Sequence, residues 1–133
     1  MKGYLLDTDT CIFALKQVPE VLGTMLSQPR ASIFVSVISE SELRFGAAKS
    51  AAPAKNARRL DAFLAPLQIL EYGSVDAAAY AHLRAKLERD GRPIGPLDTL
   101  IASHAIARQL TLVTNNVREF ARVPGLRVEN WKS

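Results

Sequence analysis

Three carboxylates stand where a carboxylate is hard to keep. Asp7 closes the apolar run Tyr4-Leu5-Leu6, Glu42 follows the β-rich run Ile33-Phe34-Val35-Ser36-Val37-Ile38, and Asp98 lies in Gly95-Pro96-Leu97-Asp98 ahead of the apolar helical stretch Thr99 to Arg108. A charge at the end of a buried element costs free energy unless something pairs with it. Three such charges, far apart in sequence, point to one shared partner, a hard divalent cation such as Mg²⁺ or Mn²⁺, which prefers oxygen ligands.

Each acid also has a plainer reading. Ser39-Glu40-Ser41-Glu42 fits a capping box, with Glu42 reaching back to the amide of Ser39. The two roles are compatible, because a carboxylate has several lone-pair sites. Asp98 in a first helical turn is stabilised by the helix dipole, though its apolar surroundings favour a functional role. In Asp7-Thr8-Asp9-Thr10, Asp9 fits a helix cap with turn chemistry, whereas Asp7 has apolar neighbours on its strand side. Asn115, Asn116 and Glu119 follow Leu112-Val113-Thr114 and form a second tier: two amides after a strand make a turn or hold a water or phosphate, and Asn116 can cap Val117–Phe120.

Other chemistries find little support. His82 and His104 are the only histidines and Cys11 the only cysteine, so a zinc site is disfavoured and an internal disulfide is excluded. His104 reads as a core or edge residue of its helix. Gly91-Arg92-Pro93-Ile94-Gly95 has neither the spacing nor the ending of a phosphate loop, and no Gly-x-Ser-x-Gly elbow is present.

The elements that must position these residues are short. Strand-like segments are Tyr4–Leu6, Ile33–Val37, Gln68–Glu71, Leu112–Thr114 and Leu126–Val128. They are apolar throughout rather than alternating, the pattern of strands covered on both faces. Helical segments lie between them: from a cap at Asp9 or Thr10 to Lys16, Pro19 to Ser27, Ser39 to Ala48, Asn56 to Leu64 after a break at Pro53, a Ser74-capped helix to Asp90 stopped by Gly91, and one opened by Pro96. Alternation of this kind predicts an α/β fold, three layers α/β/α around a mostly parallel sheet of five short strands. Ligands of open α/β sheets bind beyond the carboxyl ends of the strands. Asp7, Glu42 and Thr114-Asn115-Asn116 are thereby expected on one rim, with Asp98 joining from its helix start.

The 133 residues suit one domain, 1–133, with an ordinary apolar content of 48%. A net charge of +4 and a pI near 9.5 favour a polyanionic or acidic partner only weakly. No apolar run is long enough to span a bilayer and no signal-peptide core is seen, so a reducing, cytoplasmic setting fits.

Four segments in order, Tyr4 to Asp9, Ser39 to Ala47, Gly91 to Ala102 and Leu112 to Phe120, carry a likeness over nearly the whole chain. It resembles a PIN-domain ribonuclease, specifically the VapC toxins of bacterial VapBC toxin–antitoxin pairs. The resemblance implies a metal-dependent endoribonuclease in which Asp7, Glu42 and Asp98 hold Mg²⁺ or Mn²⁺ and structured RNA, often tRNA, is cut by hydrolysis. It also implies a VapB-like antitoxin partner, a homodimer, and contact with DNA only through the antitoxin. Many PIN domains carry a fourth acid where this chain has Asn116, and Glu119, one helical turn on, is placed to supply that charge. Two rivals stand beside this reading. One is a haloacid-dehalogenase-like phosphotransferase using Asp7 and Asp9, which lacks a later Asp-Asp pair and a clear catalytic lysine. The other is a PIN-fold binding module without catalysis.

Overall fold

The computed structural model describes residues 3–132. Strand β1 (Tyr4–Leu6) leads into helices α1 (Thr8–Leu15) and α2 (Pro19–Ser27), then a single 3-10 turn (Arg30–Ser32) and β2 (Ile33–Ser36). Next come α3 (Val37–Ala48), α4 (Pro53–Leu64), β3 (Gln68–Leu70), α5 (Ser74–Arg89), α6 (Pro96–Arg108), β4 (Thr111–Val113), α7 (Val117–Phe120) and β5 (Val128–Glu129). The strands form one sheet in the order β3-β2-β1-β4-β5, and every neighbouring pair is parallel.

The short apolar strands bury both faces. Leu6, Ile33, Val35 and Val113 face Cys11, Val21, Leu43, Leu60 and Leu64 from α1 to α4, with Trp131 closing that side. Leu5 and Leu112 face Leu83, Leu87, Ile101, Ala105 and Phe120 from α5, α6 and α7. The result is the expected three layers. Each fully buried leucine contributes about 1.5–3 kcal/mol. Close approach also has a sequence cause: a Cβ on Gly3 would come 2.5 Å from Leu110.

Several boundaries differ from the sequence reading. Helix α3 starts at Val37, and its cap is Ser36, whose Oγ accepts from the Ile38 amide at 3.0 Å. The capping box on Ser39 is therefore absent; Ser39 is fully buried, and its Oγ has no hydrogen-bond partner. Pro53 opens α4 rather than merely breaking the chain, a position where its missing N–H costs nothing. Gly73, not Ser74, caps α5, with Asp76 reaching back to its amide at 2.8 Å. The last strand is Val128–Glu129.

The end of α5 fixes the entry to α6. Gly91 adopts φ +67°, and the Gly91 and Arg92 amides donate to Glu88 and Leu87 carbonyls at 3.1 and 2.9 Å. This left-handed stop satisfies the last carbonyls and turns the chain into Pro96, the first residue of α6. Among the described residues no helix is long and apolar enough to cross a membrane.

Candidate active site

The strand order reverses around β1: the chain builds β2 and β3 on one side of it, then returns to place β4 on the other. A crevice opens at such a switch point, at the carboxyl edge. Leu6 is level with Val35 and Val113, so Asp7, Ser36 and Thr114 follow as one polar row. All three are buried.

Asp7 is itself the cap of α1, correcting the assignment to Asp9 or Thr10. Its Oδ1 accepts from the Thr10 amide at 2.8 Å. The Asp7 amide donates to Val113 O at 3.0 Å, and Thr10 Oγ1 donates to the same carbonyl at 3.0 Å, pinning β1 to β4. Burial pushes the Asp7 carboxyl above its usual range; hydrogen bonds from Thr114 and Thr10 oppose this. Asp9 points to solvent from α1. That leaves no buried Asp7/Asp9 pair for the phosphotransferase reading.

Glu42 is half-buried on α3, and its Oε1 accepts from Thr8 Oγ1 at 2.6 Å. Thr8, next to Asp7, therefore ties the second acid to the first. Sequence reading missed Thr8, because a threonine at a helix start is ordinary and its partner lies 34 residues away.

Asp98 is half-buried in the first turn of α6. Its carboxyl is pushed up to about 7, mainly by burial, then by the Glu119 carboxyl beside it, with Asp7 and Glu42 adding repulsion. The upward titration expected of crowded carboxylates thus falls on Asp98. Glu119 is held in place by three neighbours: its Oε2 accepts from Asn116 Nδ2 at 2.7 Å, its Oε1 from the Gly95 amide at 3.2 Å, and its side chain meets Asp98. Asn116 occupies the cap position of α7, but its side chain serves Glu119 instead of the helix. Asn115 turns away and accepts from Asn130 Nδ2 at 3.3 Å.

The donor set is all hard oxygen, which fits a divalent cation of the Mg²⁺ class. Among the described residues no three Asp, Glu, His or Cys side chains stand close enough to form a ready cage. The charges of Glu119, Asp7 and Glu42 nevertheless reach Asp98 across this edge.

A family model described as PIN domain matches residues 4–126. The chain belongs to the PIN-domain family. Within it, the likeness to VapC ribonucleases is extensive. The Salmonella typhimurium protein called tRNA(fMet)-specific endonuclease VapC is 42% identical over 131 residues, spanning 98% of this chain and 99% of that one. Ribonuclease VapC2 of Rickettsia felis is also 42% identical, over 96% of this chain and 97% of its own length. A crystal structure of DNA-bound VapBC from Salmonella typhimurium superposes with a TM-score of 0.93 at 41% identity, covering 98% of this chain and 99% of that one. The chain is a VapC-type endoribonuclease. PIN-domain nucleases depend on divalent metal, in keeping with the oxygen donors at this edge.

Proposed function

We propose that this VapC-type ribonuclease, one domain over residues 1–133, is the toxin of a toxin–antitoxin pair and cuts structured RNA, with tRNA as its substrate class, using Mg²⁺ or Mn²⁺ held by Asp7, Glu42 and Asp98. The observation that supports the site assignment is the placement of Asp98 where the carboxyls of Glu119, Asp7 and Glu42 all act on it, beyond the carboxyl ends of β1 and β4. A fold keeps such a cluster at a cost unless a cation relieves it.

When bound, a divalent ion supplies Lewis acidity, lowering the pKa of the attacking water and screening charge on the phosphate. The chain's own residues do the rest. Asp7 is fixed by the Thr10 amide and lacks the freedom to swing away. Glu42, restrained by Thr8, completes the ligand set or orients the attacking water. Burial and the neighbouring Glu119 carboxyl push the Asp98 carboxyl up to about 7, and Asn116 holds Glu119 in that place. Glu119 in this way replaces the fourth acid at position 116. Exposed Arg89, Arg92, Lys49, Lys55 and Arg58 are suited to phosphate contacts, as is Arg59.

The VapBC complexes among its structural relatives support a VapB-like antitoxin as partner. We further propose a homodimer, acting in the cytoplasm and reaching DNA only through the antitoxin. The test is expression of the native chain and of Asp98→Asn, each without antitoxin. Growth arrest with tRNA fragments for the native chain alone is the expected result. Equal toxicity from both would overturn the chemistry, and no Mn²⁺ binding by the native chain in calorimetry would favour a catalytically inactive module.

A further inference from the structure

Behind the acids lies a buried histidine whose hydrogen bonds cross between the two helices that carry Asp98 and Glu42. His104 sits on α6, fully buried, six residues or about 9 Å along the axis from Asp98. Its Nε2 is 3.1 Å from the Glu71 carbonyl and its Nδ1 is 2.9 Å from Ser36 Oγ. A carbonyl only accepts, so Nε2 carries the hydrogen. In the neutral ring Nδ1 is then an acceptor, and the Ser36 hydroxyl donates to it. Ser36 Oγ in turn accepts the Ile38 amide and caps α3. The proton of that hydroxyl holds α6, and one of its lone pairs starts α3.

The ring has little room to move. Tyr72 meets it edge-on at 5.1 Å, and Tyr72 is anchored by Ser103 at 2.7 Å and by the Asp76 carbonyl at 3.1 Å. Asp76 lies 3.8 Å from Nε2 with its charge already taken by Arg108. Ser36 is also the neighbour of Asp7 in the polar row at the sheet edge.

We propose that His104 is a positioning residue: through Ser36 it sets the distance between Asp98 on α6 and Glu42 on α3, and so pre-organises the cation site without touching it. This rests on the reading of those acids as metal ligands. Groups outside the ligand set commonly tune metal affinity about 10–100-fold.

Two substitutions separate the bond to Ser36 from mere packing. His104→Asn keeps an acceptor near the Nδ1 position and loses the Glu71 link. His104→Gln keeps a donor for Glu71 and leaves Ser36 without its acceptor. Mn²⁺ calorimetry on the full chain, with a thermal melt for each variant, is the readout. The expected result is a roughly tenfold weaker Mn²⁺ affinity for His104→Gln and near-native affinity for His104→Asn, even where Asn melts lower. Should His104→Gln fail to fold, Ser36→Gly deletes the same bond from the other end at little cost to the α3 cap, and carries the same expectation. Equal affinities for Asn and Gln, or losses that track melting temperature, would overturn the positioning role while leaving the acid site intact. Absence of Mn²⁺ binding by the native chain would instead sink the acid site, and this inference with it.

Discussion

Replacing Asp98 by Asn should make the metal-free protein more stable while abolishing its nuclease activity. The Asp98 carboxyl is raised from 3.8 to about 7. In the unfolded chain it ionises above its ordinary value, whereas in the folded chain it resists ionisation up to about 7. The folded state is therefore penalised progressively as pH climbs between those two values, and fully above them. A shift of roughly 3 units corresponds to about 4 kcal/mol if undiscounted. Asp98 is half-exposed, and solvent screening reduces this to about 2 kcal/mol. Asn also gives up the favourable dipole interaction of a first-turn carboxylate, about 0.3–1 kcal/mol. The net gain is about 1 kcal/mol, or roughly 3–5 °C in Tm for a domain of this size. Asn mimics the protonated acid and still donates to Glu119, so the proposed contact survives. The assay is calorimetric melting in EDTA between pH 4 and 8. The gain should be near zero at pH 4 and reach a plateau close to pH 8. A gain independent of pH, or a variant less stable at pH 8, would refute the electrostatic account.

Metal binding should follow the same proton. Below about pH 7 Asp98 must release it, so Mn²⁺ affinity should fall by up to about tenfold per pH unit, and calorimetry in two buffers of different ionisation heat should count about one proton released. Thr8→Val removes the one side-chain donor to Glu42 among the described residues while keeping the shape. It should lower kcat about tenfold with little change in Tm, as measured on a fluorogenic RNA. Arg108→Met strands the fully buried Asp76 and should cost about 3 kcal/mol in urea unfolding at pH 7. Because Arg108 holds the Asp76 carboxyl below its usual range, that contribution is present above about pH 4 and lost as pH falls through the folded value, so native and variant should converge in acid.

Much of this architecture is legible in the sequence. Continuous apolar runs too short for helices marked β1, β2, β3 and β4, and Pro96 marked the start of α6. The carboxyl-edge rule placed the acids without any knowledge of strand order. What escaped was decided by contacts distant in sequence. Val37 and Ile38 are β-branched and read as strand, yet they form the first turn of α3 because Ser36 caps it and β2 ends there. That shift of three residues buries Ser39 and releases Glu42 from a capping duty, which is why its carboxylate is available to Thr8. Glu71 and Ser36 lie 33 and 68 residues from His104, and no local pattern announces such partners. The thiol of Cys11 lies buried in the core.

The central place of β1 has a consequence for how the toxin comes into being. Strand β1 is flanked on one side by β4, which begins at Thr111, and Glu119 follows later still. As the chain is made, β2 and β3 can dock on β1 early, but the Thr114 side of the polar edge is missing until β4 has followed α6. Pairing of strands so distant in sequence is also intrinsically slow. The polar edge that carries Asp7 is thus closed late, only when β4 docks beside β1.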